Sequence, residues 1–215
     1  MGYAVEEVDI PFADLQAKNP DIKRFSASTI IFCRDTHNAT EPYVFLCKRA
    51  HWDHSLGKAN SWAGSWETPG GSQDHGERIL DTAIRETREE ANLHVSHVSR
   101  HVYFDDWIHK GVRMARYTFH AAVYEELQPQ RIWCNEHQGP VGTEEGPIKL
   151  NLNEHMDFCW ATEAQVRESL SYDAGNPQQK GLVMLGNKRN TILDAFKRLN
   201  DPRFDMIVRP EKPYQ

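Results

Sequence analysis

The sequence predicts one α/β domain, a mixed β-sheet flanked by helices. Three observations carry this expectation. Segments rich in β-branched and aromatic residues stand before a long helical pattern, Ser26 to Cys33 and Tyr43 to Arg49, and after it, Val95 to Tyr103 and Val112 to Tyr124. A second helical period, with Ile192, Leu193, Phe196 and Leu199 on one face, lies near the end. At 215 residues, the chain can bury roughly 70% of its unfolded surface in a single core. The expected layout is an N-terminal arm or edge strand over 1–24, the domain over 25–200, and a tail over 201–215.

Taken in order, residues 1–24 mix acids with short apolar groups and Pro11 and Pro20, which suits an arm or an edge strand. The first two strands form a hairpin across a polar loop, Asp35 to Pro42, in which the sequon Asn38-Ala39-Thr40 is read as chance. His51 to Gly64 is a polar loop containing Trp52 and Trp62, either of which could stack on a base or pack in the core. His51 and His54 are surface residues on this reading. Phe104 to Gly111 connects the next two strands. Gln128 to Asn153, rich in Pro, Gly, Glu and Asn, lacks any period and reads as a long loop or insertion near 128–153, able to cap a pocket or supply a base from Glu144 or Glu145. Met156 to Trp160 is a short strand, Thr162 to Leu170 a helix, and Asn187 to Asn200 the closing helix.

Composition excludes several classes. A net charge of -6 and a pI near 6.0 give no footprint for bulk nucleic acid, although the cluster Lys110, Arg113 and Arg116 could hold a phosphate. Cys33, Cys47, Cys134 and Cys159 form no C-x-x-C pair and no dense framework, and the first residues do not resemble a signal peptide. The expected compartment is therefore the reducing cytoplasm. No apolar run approaches 18 residues, so a membrane-spanning helix is not expected. Nothing in the pattern fixes the oligomeric state; a homodimer is compatible with it.

The chemistry concentrates in Trp66 to Leu93, WETPGGSQDHGERILDTAIRETREEANL. At 3.6 residues per turn, Glu86, Glu89 and Glu90 fall within a wedge of about 100°, beside an apolar wedge of Leu80, Ala83, Ile84, Thr87 and Ala91. Each i,i+4 pair of like charges costs several tenths of a kcal/mol unless a cation lies between them. A hard divalent ion, Mg²⁺ or Mn²⁺, fits such oxygen donors and leaves positions open for phosphate. The alternative is a solvated helix face begun by Asp74 as N-cap and Glu77 three residues on, with Arg85 and Arg88 offsetting the acids.

The spacing favours the first reading. Five residues separate Gly71 from Glu77, seven separate Glu77 from Arg85-Glu86, and Glu89-Glu90 follow. This closely resembles the Nudix box, G-x5-E-x7-R-E-U-x-E-E-x-G-U, where U is a bulky apolar residue. Thr87 stands at the first U and Asn92 at the final Gly; Asn tolerates the left-handed helix cap that Gly usually supplies, and Thr keeps a methyl for packing. Trp66 to Pro69 resembles the usual lead-in, and Glu154 to Trp160 resembles the family's later E-x-x-x-x-x-W strand.

The resemblance implies an α/β/α sandwich around a mixed sheet and hydrolysis of a diphosphate linkage in a small-molecule substrate. It also implies roles. Glu86 and Glu90 would hold the principal Mg²⁺ or Mn²⁺, Glu89 would share a metal or activate water, the Gly70 carbonyl would complete the sphere, and Glu77 would hold Arg85. Arg49, Trp52, Trp62 and Arg116 are the candidate substrate contacts. The default substrate is a nucleoside diphosphate or triphosphate derivative. An isoprenyl-type diphosphate lodged near Trp52, Trp62 and Trp107 is the alternative, and a nucleotide-sensing module without catalysis is the alternative of another class. The family's signatures for ADP-ribose, dinucleoside polyphosphates and NADH are missing from the expected places, and Leu46 to Ala50 only weakly resembles a coenzyme A signature.

Overall fold

The computed structural model describes residues 2–34, 41–144, 146–176 and 179–199, together with the backbone of 206–208. Most of the Asp35 to Pro42 loop, its sequon and Glu145 lie outside the described residues. Eleven strands form one mixed sheet. In chain order the principal elements are β1 (Gly2–Ala4), α1 (Val5–Val8), α2 (Phe12–Lys18), β2 (Arg24–Arg34) and β3 (Pro42–Arg49). Then come β4 (Trp66–Glu67), β5 (Gly70–Ser72), α3 (Ile79–Ala91), β6 (Val95–His109) and β7 (Val112–Val123). The chain continues through β8 (Arg131–Cys134), β9 (Gly139–Gly142), β10 (His155–Thr162), α4 (Glu163–Arg167), α5 (Gly186–Arg198) and β11 (Met206–Val208).

Side-chain alternation makes the sandwich. Successive residues of a strand point to opposite faces, and β2 sends Ala27 and Ile31 to a core shared with Ile79, Ala83 and Ile84 of α3. Ile30 goes to the other face, where Val44, Leu46 and Trp66 meet Ile192 and Phe196 of α5. Both faces of the central strands are thus buried under helix, the condition for near-continuous apolar strands such as Val44-Phe45-Leu46-Cys47. The sheet runs β1-β6-β7-β2-β3-β10-β8-β9, with β2 parallel to β7 and β8 parallel to β10.

The active-site segment occupies a split in this sheet. β2 pairs with β3 only through Phe32, Cys33 and Arg34. Below that point the strands part, and the chain between them fills the gap: β4 pairs with β3, and β5 pairs with Ser26, Ala27 and Ser28 of β2. Helix α3 then packs over β2 and β5.

Several expectations change. Residues 5–18 contain two short helices whose Val5, Val8 and Leu15 enter the core, so only Gly2–Ala4 is an edge strand. β6 runs on to His109, and the connection to β7 is a two-residue turn, Lys110 (φ 49) and Gly111 (φ 76). Positive φ at both positions gives the turn whose twist matches a right-handed hairpin. The stretch near 128–153 is not structureless: β8 and β9 form a hairpin with buried Trp133, and the amides of Lys149 and Asn151 cap the carbonyls of Ala91 and Glu90 at the end of α3. α4 spans Glu163–Arg167 rather than reaching Leu170, which instead pairs with Val183. Cys33 lies opposite Tyr43 in the β2–β3 pairing, and all four cysteines are free thiols.

Candidate active site

Helix α3 begins at Ile79 with Arg78 as N-cap. Asp74 and Glu77 therefore belong to the preceding turn, where the Asp74 amide donates to Glu77 Oε2 at 3.1 Å. Glu77 grips Arg85 with both oxygens, Nε to Oε1 at 2.7 Å and Nη2 to Oε2 at 3.1 Å. Burial raises the Glu77 pKa, but these charge-assisted bonds outweigh it and hold the carboxyl below its usual range. Arg85 also donates to the Ser72 carbonyl, to Glu86 Oε1 at 2.8 Å and to Glu89 Oε2 at 3.0 Å. One guanidinium ties the turn to two acids of the helix.

The acids differ in environment. Glu89 is exposed, whereas Glu86 and Glu90 are buried. Burial pushes Glu86 up to about 7 despite Arg85. Glu90 is raised well above its usual value, by burial first and then by the charges of Glu86 and Glu154. Its Oε2 accepts the Gly70 amide at 2.7 Å. Its Oε1 is buried without a hydrogen-bond partner and stands 3.9 Å from His155 Nδ1. Burial, and then the charge of Arg49, lowers His155 to about 4, so this imidazole is neutral at pH 7 and offers Glu90 no cation. A buried, unpaired carboxylate oxygen among three mutually repelling acids is a donor set suited to a hard divalent cation.

The spacing of these acids as they stand is wider than a closed metal cage. Among the described residues, the trio whose donor atoms all lie within 4.8 Å of one another is Cys134, Glu136 and His137 on the β8–β9 turn. Arg85 draws Glu86 and Glu89 to one side, and the Gly70 amide holds Glu90 on the other.

Glycine spacing follows from these contacts. A Cβ on Gly71 would lie 2.5 Å from the Glu86 carboxyl, and one on Gly70 would meet the Ala27 carbonyl at 2.3 Å. The two departures from the box are accommodated. Buried Thr87 hydrogen-bonds Thr29 across the helix–strand interface at 2.6 Å, and Asn92 takes the left-handed cap (φ 57, ψ 31) while its side chain donates to the Pro147 carbonyl.

A cleft of about 590 Å³ opens over the carboxylates. Arg49, Trp62 and Arg116 line it; Trp52 does not. Trp52 sits on a short hairpin that turns Asp53 inward to accept the Ser55 and Leu56 amides, leaving the indole about half exposed on the outside. Arg116 is in place but already engaged: its Nη2 reaches both Asp105 oxygens at 3.0 and 3.1 Å, and its guanidinium lies over Trp107 at 5.5 Å. Arg49 meets Glu67 at 2.6 Å. Glu144 pairs with Arg131 and does not line the cleft.

The cleft also gathers residues that sequence reasoning left without a site role. Glu67 is buried against Arg49, His155 and Lys188. Glu154 stands beside Glu86 and Glu90, and the lead-in and E-x-x-x-x-x-W likenesses were the only signals for these two acids. Asn187 and Lys188, from the first turn of α5, had no signal at all. Asn187 donates to Asp105 at 2.8 Å, and burial, then Arg49, brings Lys188 down to about 7.

A family model for the NUDIX domain matches residues 23–181. The chain belongs to the Nudix family. The structure resembles a Nudix hydrolase from Listeria monocytogenes, with a TM-score of 0.52 and 17% identity over 86% of this chain and 99% of that one. It also resembles a Nudix hydrolase from M. smegmatis, with a TM-score of 0.50 and 17% identity over 87% and 91%. At such identities the likeness shows the fold, the expected sandwich around a mixed sheet. No curated protein matches the sequence. Among the described residues no helix is long and apolar enough to cross a membrane.

Proposed function

We propose that this Nudix protein is a divalent-metal-dependent pyrophosphohydrolase acting on a nucleoside diphosphate or triphosphate derivative. The buried, unpartnered Glu90 Oε1 beside Glu86 and Glu154 carries the reading, because such a cluster of acids is satisfied by a cation and by little else. Glu86, Glu90 and Glu154 would hold Mg²⁺ or Mn²⁺, with the Gly70 carbonyl as a further oxygen donor. Bound there, the ion would neutralise charge on the phosphate oxygens and acidify a water. Glu89, exposed on the solvent side of α3, would orient or deprotonate that water. Arg85 holds Glu86 and Glu89 in register, and Glu77 holds Arg85. Arg49 serves the phosphates, while Trp62 and the Arg116-backed Trp107 form the wall for the base. The absence of disulfides among the four cysteines suits a reducing compartment such as the cytoplasm.

An isoprenyl tail is the weaker occupant. It would lie against Arg116, Asp105 and Asn187, a polar network whose dehydration it could not repay. The test is phosphate or pyrophosphate release from nucleoside and prenyl diphosphates with Mg²⁺, Mn²⁺ or chelator. Metal-dependent turnover of nucleotides is expected, with Glu90→Gln slowing it by at least about 100-fold. Near-normal turnover by a folded Glu90→Gln protein would remove the metal role. Binding of a nucleotide without any cleavage would instead identify a sensing module.

A further inference from the structure

The cleft does not end at the carboxylates. A second cavity of about 650 Å³ adjoins it, the two sharing Arg49, Trp62, Ser72, His109, Met114 and Glu154 as a common wall. Trp62 and His109 meet on that boundary with their ring centroids 5.0 Å apart and their planes tilted by 55°. Beyond it stand three cations from three separate elements: Arg24 at the start of β2, Lys58 on the short hairpin after β3, and Lys110 in the β6–β7 turn. No described acid lies within ion-pairing distance of any of them, whereas Arg113 and Arg116 nearby are each bound to an aspartate. Two acids line this cavity: Glu154 belongs to the acid cluster of the first cleft, and Asp53, which feels the charge of Lys58, is occupied by its own turn, its Oδ1 accepting from the Ser55 hydroxyl and from the Ser55 and Leu56 amides.

Solvated surface cations are common, but convergence on one cavity is a different situation. In a chain of net charge -6, three unpaired cations around one concavity focus a local positive field that draws in anions. A simple nucleoside diphosphate leaves them unused. Its phosphates are served by the acid cluster and its cation, and its base by the aromatic wall of the first cleft. We propose that the second cavity is an anion subsite for a further phosphate group of the substrate, separate from the diphosphate that is cleaved. The substrate class is then a nucleoside diphosphate derivative bearing an additional phosphate, either as a monoester on its sugar or as a longer polyphosphate chain. This rests on the pyrophosphohydrolase reading above.

Matched pairs test it. The values of kcat/KM are measured for NADPH against NADH, for coenzyme A against its 3′-dephospho form, and for diadenosine tetraphosphate against diphosphate. The same ratios are measured for the Arg24→Gln/Lys58→Gln/Lys110→Gln protein. In at least one pair the more phosphorylated member is preferred by about tenfold or more, the effect of one charge-assisted contact set, and the triple substitution brings that ratio to within about threefold of unity. The first two pairs report a monoester and the third a chain. No preference in any pair, or a preference that survives the triple substitution, overturns the subsite. A second measurement is independent of turnover. With chelator present, binding of inorganic pyrophosphate by calorimetry at low salt should weaken about tenfold in the triple variant, with a shallower salt dependence. Unchanged binding overturns the proposal even if no substrate is cleaved. Lost binding without any cleavage sustains the subsite and refutes only the hydrolase reading.

Discussion

Glu86 shows how burial ties function to stability at one residue. Its folded pKa of about 7 lies above the unfolded value near 4.5, so between those pH values the folded state keeps a proton that the unfolded state releases. Stability from this group is therefore present below pH 4.5, declines through the interval and is absent above pH 7. His120 and His155, both lowered to about 4 by burial, act in the opposite direction between pH 4 and 6.5. They are common to wild type and variant and cancel in a comparison. Glu86→Gln, which can still accept from Arg85, should stabilise the chelator-treated protein at pH 8 by about 2 kcal/mol, or about 4 to 8 °C in melting temperature. Near pH 4.5 the gain should be small, and the variant should lose the Mg²⁺-induced rise in melting temperature. An equal shift at both pH values would contradict the buried-carboxylate account.

The β5–α3 unit separates a glycine needed for the fold as well as the site from one needed for the site alone. Gly70 is pressed against the β2 backbone, and its Cβ would strike the Ala27 carbonyl. Backbone cannot move aside cheaply, so Gly70→Ala should destabilise the fold by about 2 kcal/mol or more. At Gly71 the obstructing group is the Glu86 carboxyl, the far end of a flexible side chain. Gly71→Ala should therefore melt within a few degrees of wild type while losing most metal-dependent turnover. Equal melting and equal activity in the two variants would refute this division. The same unit explains what was legible in advance. Spacing along one helix and one turn is local information, so Glu77, Arg85, Glu86, Glu89 and Glu90 could be read from the chain, as could the Asn92 cap. Glu154, Asn187 and Lys188 reach the cleft, and His155 the buried acids behind it, only through the pairing of β10 with β3 and the packing of α5. Tertiary placement has no period in sequence. Trp52 lies outside the cleft for the converse reason: on a hairpin of two-residue strands, alternation decides which neighbour faces inward, and Asp53 takes that side.

At the scale of the whole molecule, the sheet has an exposed flank that the distant ends of the chain cover. β6 pairs with β7 on one side; on the other, β1 pairs with Val102 and its neighbours and β11 with His97 to Ser99. An uncovered strand of fifteen residues would be a template for association with another chain. The N-terminal segment does more than cover an edge. Val5, Val8 and Leu15 are buried, Tyr3 meets Phe104 edge-on at 5.4 Å, and Phe12 meets Phe25 at 6.0 Å. Three such aliphatic side chains contribute about 5 to 9 kcal/mol of gross burial, an upper bound from which the ordering of the segment subtracts. Folded and family-matched lengths then differ: the NUDIX match begins at residue 23, while the packed unit begins near residue 2. We therefore expect a protein lacking residues 1–22 to melt at least about 10 °C below the full chain and to associate through the bared β6 edge, read by scanning calorimetry and light scattering. The acid cluster contains no residue from this segment, so the truncated protein, kept well below its melting point, should retain its metal-induced stabilisation. An unchanged melting temperature would mean that the segment is a detachable arm, and the domain would then start where the family match does.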